Sequence, residues 1–242
     1  MKTIKFNKIS DFDPPVNYSR IGYNNGELGF YRKHRPNVEQ KNGYIRMHAV
    51  PDNSMGILRG GTYYRCARLV TKDTFTFKAP AWITVKGRWN QTSKAFMCLL
   101  WLFPLNPNRV MEVDVVEWEA GNPHRLMFTL WWTGEGRNPE DVGEKPYESN
   151  LLKKSQKISS AGDTEEFRKY HVLLLKKRII WFKGILPVKI RRVNTTEDEF
   201  YLRSTIQTAS WAENDALSPI ASDNPATMDL AFIKVRLLGK NR

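Results

Sequence analysis

Apolar and polar positions along this chain recur mostly with the two-residue period of a half-buried strand. The run GYIRMHAV (43–50) alternates and ends at Pro51. YYRCARLVTK (63–72) reads as the next strand, and FTFKAPAWITVKGRW (75–89) as one or two strands around Pro80. AFMCLLWLF (95–103) is continuously apolar and closed by Pro104, as in a strand buried on both faces. MEVDVVEWE (111–119) and HRLMFTLWW (124–132) follow. YHVLLL, the turn KKR and IIWFKG (170–184) read as a hairpin, and YLRSTIQTAS (201–210) and DLAFIKVRLL (229–238) complete the set. The best helical candidate is EEFRKYHVLLLKK (165–177), but its branched apolar run favours a strand. Short strands separated by turns predict an all-β sandwich or jelly roll. No repeat or linker interrupts the pattern, so residues 1–242 are expected to form one domain. The longest stretch without a strand signal is 133–166, a length usually reserved for functional or mobile loops.

One strand departs from plain alternation. In MEVDVVEWE the polar residues occupy even positions up to Asp114 and odd positions from Glu117. An extra residue near Val115–Val116, a β-bulge, would restore one phase and turn Glu112, Asp114 and Glu117 to the same side. Glu112 and Glu117 would then stand four pleat steps apart, roughly 13 Å between Cα atoms. A curved strand with converging side chains would bring the carboxyls closer. Paired carboxyls about 5–5.5 Å apart are what a retaining glycosidase requires, one as nucleophile and one as acid and then base. Asp114 between them would share a proton, because like charges that close do not all ionise cheaply. The same acids could instead form a solvated strand face or supply oxygen ligands to calcium.

Composition narrows the classes. The chain of 242 residues is 41% hydrophobic and 12% aromatic, which describes a globular protein. No apolar run approaches the roughly 18–20 residues of a membrane span, so no membrane partner is expected. The first residues, MKTIKFNKISDFDPP, have a basic start without the apolar core of a secretory signal. Cys66 and Cys98 are too few for a disulfide framework, have no metal-ligand spacing, and read as buried thiols. The net charge is +13, and residues 167–192 contain nine Lys or Arg and no Asp or Glu. That stretch reads as a solvated face or a polyanion-binding surface. No nucleic-acid motif accompanies it, so nucleic acid is not the expected partner.

The spacing Glu112-Val113-Asp114-Val115-Val116-Glu117 resembles the signature of glycoside hydrolase family 16. The similarity extends in order over about residues 20–238: KNGYIRMHAV resembles an early strand after a Gly turn, Cys66-Ala67-Arg68 stands where the family has Ser-Gly-Arg, and YHVLLLKKRIIWFKG is similar to its His-containing strand and the Trp hairpin after it. The resemblance implies a concanavalin A-like β-jelly-roll sandwich of two curved antiparallel sheets. It implies retaining endo-hydrolysis of β-linked glucans or galactans outside the cell, by a monomer. By position it makes Glu112 the nucleophile, Asp114 its electrostatic helper and Glu117 the acid/base. Departures are Thr129-Leu130-Trp131 where many members have Thr-Leu-His, Lys183-Gly184 for Asp-Gly, and IQTASWAEN in place of Asn-Leu-Ala-Val-Gly-Gly. They leave the hydrolytic pair in place and alter the cleft lining.

Sugars pack their C–H faces on aromatic rings. Trp101, Trp131 and Trp211 are therefore the expected substrate-binding aromatics, and Arg68 the residue reaching a sugar hydroxyl or sulfate. Trp118, Trp82, Trp89 and Trp181 are expected to pack, and His171 to make a structural hydrogen bond. No cofactor or catalytic metal is required, while a structural calcium is compatible with the acids. The substrate reads as a polysaccharide, with neutral β-1,3-glucan and sulfated algal galactan both open. The alternative is a non-catalytic carbohydrate-binding or virion adhesin module on the same fold.

Overall fold

The structure is a computed structural model, and it describes residues 2–14, 18–19, 29–31, 37–52, 64–90, 95–106, 111–119, 125–132, 158–159, 166–196, 198–208 and 225–239. In chain order the strands are β1 (Thr3–Phe6), β2 (Tyr18–Ser19), β3 (Gly29–Tyr31), β4 (Val38–Lys41), β5 (Tyr44–Pro51) and β6 (Tyr64–Arg65). Next come β7 (Ala67–Val70), β8 (Phe77–Lys78), β9 (Ala81–Trp89), β10 (Phe96–Pro104), β11 (Met111–Glu119) and β12 (Arg125–Trp132). The last are β13 (Ile158–Ser159), β14 (Arg168–Leu175), β15 (Arg178–Lys183), β16 (Leu186–Arg192), β17 (Glu199–Gln207) and β18 (Ala226–Leu237). A single 3₁₀ turn at Ile9–Asp11 is the one helical element among the described residues.

These strands form a jelly-roll sandwich. The larger sheet has eleven strands in the order β16-β15-β14-β9-β18-β5-β6-β3-β2, with β1 on β18 and β4 on β5. The smaller has seven in the order β13-β12-β11-β10-β17-β7, with β8 on β17. Pairing is antiparallel except for the short β3–β6 contact. Strand β5 shows the expected alternation, with Ile45, Met47 and Ala49 fully buried and their neighbours half-exposed. Strand β10 is buried on both faces except at Phe103, because its two sides meet different apolar clusters. One face, with Leu99, Leu100 and Leu102, joins the core between the sheets. The other, with Phe96, Cys98 and Trp101, packs with Met127 in a second cluster on the far side of the smaller sheet.

The core between the sheets is rich in aromatics. Trp89 lies 6.0 Å from Trp118 and 6.1 Å from Tyr170, and Phe128 lies 6.3 Å from Tyr170. Each such side chain, removed from water, contributes about 1.5–3 kcal/mol. Within the larger sheet Asp229, 3% exposed, accepts Arg46 Nε at 2.7 Å, Arg46 Nη2 at 2.9 Å and Arg88 Nε at 2.8 Å, which ties β18 to β5 and β9.

Three details differ from the sequence expectation. The segment 63–72 is not one strand: it breaks at Cys66, with β6 in the larger sheet and β7 in the smaller. Burial changes parity at the break, from Tyr64 and Cys66 to Ala67 and Leu69, as the chain passes from one sheet to the other. The stretch 133–166 contains β13, two residues that pair with β12 and carry too little pattern to be seen. The N-terminal residues Thr3–Phe6, outside the predicted strands, form a further strand on β18.

Candidate active site

Strand β11 carries the acids, and its ladders show the bulge. Against β12, Asp114 pairs with Thr129 and Glu117 with Met127, so three steps on β11 match two on β12. Against β10 the register also shifts, with Trp101 opposite Asp114 and Cys98 opposite Glu117. Val115 and Val116 are both buried in the core between the sheets, as are Val113 and Trp118. Core-facing residues therefore change parity at the same place as the acids. Glu112, Asp114 and Glu117 turn to the opposite face, and the carboxyls of Glu112 and Glu117 both bear on that of Asp114.

Side chains hold the distorted backbone. Trp181 reaches through the core from β15 and donates Nε1–H to the Asp114 carbonyl at 2.8 Å. Cys98 on β10 donates its thiol to the Val116 carbonyl at 3.4 Å. Carbonyls at a bulge are poorly served by ladder bonds, and buried ones need partners. The Thr129 hydroxyl donates to Glu117 Oε2 at 2.6 Å and sets that carboxyl's orientation.

Asp114 is wholly buried, and among the described residues its carboxyl oxygens meet the carboxyls of Glu112 and Glu117 but no N–H or hydroxyl donor. Burial first, then the charges of Glu117 and Glu112, push its carboxyl well above the ordinary range. A carboxyl raised in this way favours a shared proton, which lowers the repulsion among three neighbouring acids. The Cys98 thiol is also pushed up, by burial and then by Glu117 and Asp114, so it is a packing and donor group and not a nucleophile. Behind β12, buried Lys189 donates to the Phe128 carbonyl and lies 5.0 Å from the Trp181 ring. Burial and then Arg191 lower its ammonium to about 8, against the opposing pull of Asp114 and Glu117.

Away from the acids, the same face of the smaller sheet continues across β10, β17 and β7. Trp101, 5% exposed, packs between Phe96 and Phe103 at 6.5 and 5.6 Å, and its indole N–H is buried without a partner among the described residues. Next in that row is Arg203, paired with Trp101 on one side and Val70 on the other. Arg68, in the same sheet, holds its guanidinium 4.9 Å from the Tyr31 ring. Arg68, Arg203, Tyr31 and Tyr201 line a pocket of about 250 Å³.

The site residues named from sequence are therefore only partly gathered by the structure. Glu112, Asp114, Glu117 and Trp101 lie together, and Arg68 stands further along the same face. The Trp131 backbone pairs with Glu112, while its side chain and all of Trp211 lie outside the described residues. Trp118, Trp89 and Trp181 are core residues as expected. Trp82 packs on Phe182 and His171 on the larger sheet, where His171 Nδ1 bonds the Thr84 hydroxyl at 2.8 Å. Among the described residues no group of three or more His, Cys, Asp or Glu is arranged to hold a metal ion. Sequence reasoning missed Arg203, Thr129 and Cys98. Alternation in YLRSTIQ puts Arg203 on one face with Tyr201 and Thr205, but only sheet order makes that face the one carrying the acids.

No protein-family model matches the sequence, and no curated protein matches it. Solved structures do match. The laminarinase from Rhodothermus marinus superposes with a TM-score of 0.75 at 16% identity, over 99% of this chain and 97% of that one. A non-specific endo-β-1,3(4)-glucanase from glycoside hydrolase family 16, SCLam, gives 0.72 at 16% identity over 91% and 83%. The endo-β-1,3-glucanase from Pyrococcus furiosus gives 0.69 at 18% identity over 96% and 87%. The chain thus has the fold of family 16 glycoside hydrolases, as the resemblance implied.

Proposed function

We propose that the chain is an endo-acting glycoside hydrolase that cleaves internal β-linkages of a polysaccharide with retention of configuration. The observation that carries this reading is the bulge in β11, which puts Glu112, Asp114 and Glu117 on one face beside an aromatic floor. The fold shared with endo-β-1,3-glucanases supports it.

In the proposed reaction the Glu112 carboxylate attacks the anomeric carbon while Glu117 gives its proton to the departing glycosidic oxygen. A covalent glycosyl ester on Glu112 results. Glu117, now ionised, takes a proton from water, whose oxygen attacks the anomeric carbon and releases Glu112. Two inversions leave the configuration unchanged. Asp114 contributes by sharing its proton with the flanking carboxyls, and the Thr129 hydroxyl keeps Glu117 aimed. Trp101 supplies apolar surface for a sugar ring. The steps use no cofactor.

The test is reducing-end release from laminarin, mixed-linkage glucan, agar, porphyran and carrageenan. Wild type is expected to release oligosaccharides from at least one polymer, and Glu112→Gln and Glu117→Gln to lose at least ~10³-fold in kcat, as expected when a group acting directly in the chemistry is removed. Binding without cleavage of any polymer in that panel would favour a carbohydrate-binding module on the same fold.

A further inference from the structure

We infer that Arg203 is a specificity residue: the counter-charge for an anionic group, a sulfate ester or a uronate carboxylate, on the polysaccharide bound at this site. The inference rests on the glycosidase reading for the identity of the ligand as a glycan.

Arg203 lies in the cross-strand row Val70–Arg203–Trp101–Asp114, two ladder spacings from the acid strand. That is roughly 10 Å between backbones, so an anion there would belong to a sugar flanking the one that reacts. The guanidinium carbon stands 4.1 Å from the Phe103 ring centre and 5.9 Å from those of Trp101 and Tyr201. Its Nη2 donates to the Tyr201 hydroxyl at 3.2 Å. The Nε–H is buried and has no hydrogen-bond partner, and no carboxylate pairs with this side chain among the described residues.

That arrangement is unusual for a structural arginine. The other half-buried guanidinium groups face carboxylates: Arg46 and Arg88 share Asp229, and Arg65 faces Asp52. Arg203 instead sits against aromatic rings and lines the pocket together with Arg68 and Lys72. Two acids line the same pocket. Asp13 is already committed, accepting the Asp73 and Thr74 amides and the Thr74 hydroxyl, and Asp73 lies beside it. Neither bonds Arg203. A guanidinium held against aromatic rings by a hydrogen bond to Tyr201, with no counter-ion among the described residues, is preorganised to accept an oxyanion. A neutral sugar hydroxyl would leave that charge uncompensated.

The experiment compares carrageenan with chemically desulfated carrageenan, and alginate with laminarin. For each, binding to the Glu112→Gln chain is measured by calorimetry and turnover by wild type. We expect at least a ten-fold preference for one anionic polymer over its neutral counterpart. Whichever pair shows it identifies sulfate or carboxylate. Arg203→Leu should abolish that preference by weakening the anionic polymer at least ten-fold while leaving the neutral one within two-fold, and Arg203→Lys should restore part of it. Equal losses on charged and neutral polymers would overturn the inference, as would tighter binding of the neutral forms. If Arg203→Leu fails to fold, Arg203→Gln carries the same comparison. If wild type binds but cleaves nothing, the hydrolase reading fails while the calorimetric ratio still tests Arg203.

Discussion

At the scale of single residues, burial decides what each ionisable group does. Asp114 and Lys189 are both enclosed, on opposite sides of the smaller sheet's backbone, and burial moves them in opposite directions. Lys189 permits a quantitative expectation. An unfolded lysine titrates near 10.4, and Lys189 in the folded chain near about 8. Between those values the unfolded chain binds more protons, so this group's contribution makes stability rise with pH. It is fully present above the unfolded value and lost as pH falls through the folded one. The cost of the buried cation at neutral pH is on the order of 3 kcal/mol. Urea unfolding of wild type and Lys189→Met at a series of pH values should therefore show a difference that shifts by roughly 1–3 kcal/mol in favour of wild type between pH 7.5 and 10.5. A pH-independent difference would mean that Lys189 titrates as an exposed lysine. The acid spacing already points to a shared proton at Asp114, whereas Lys189 is one of nine cations in a basic run, and only packing distinguishes it from its exposed neighbours Lys176 and Lys177.

Among the elements, β11 was the most legible and β17 the least. The bulge was visible because valines fill the gap between two phases of acids, so burial and polarity change parity together. Strand β17 shows clean alternation, yet its neighbours β10, β7 and β8 come from earlier in the chain, and nothing local states that order. The contact between sheets has its own local determinant in β9. A Cβ on Gly87 would stand 2.3 Å from Leu99 Cδ2 and 2.8 Å from the Asp229 carbonyl oxygen. The leucine could turn aside, but the carbonyl belongs to the paired strand β18. Gly87→Ala is expected to cost about 1–3 kcal/mol, the usual penalty of overpacking, read as a lower urea midpoint with an unchanged slope. A midpoint equal to wild type would show that β9 and β18 can separate locally without loss.

On the scale of the whole molecule, the nine cations of 167–192 become the β14–β15–β16 end of the larger sheet, with β16 as its edge strand. Ile185, Leu186 and Ile190 are 91, 66 and 54% exposed there. Like charges along an open edge discourage strand addition by another copy, and they give the chain a cationic end separate from the acids. Retention on immobilised heparin should fall steeply as salt rises, because exposed charges are screened within about 8–10 Å at physiological ionic strength. Reversal of the exposed Lys176, Lys177 and Arg178 to Glu should move elution to clearly lower salt, and an unmoved elution would place the contact elsewhere. What the sequence determined by itself is what depends on near neighbours: strand identity, the face each residue takes, the phase change in β11 and the excess of positive charge. These follow from the two-residue period and from solvation, which act over a few residues. What only the tertiary structure decided is which faces meet: Trp181 on the Asp114 carbonyl, Cys98 beside the bulge, Lys189 sealed behind β12 and Arg203 in line with the acids. Those depend on strand order across two sheets, which is settled by packing between residues as far apart in the chain as Thr3 and Arg236 and leaves no periodic trace in the sequence.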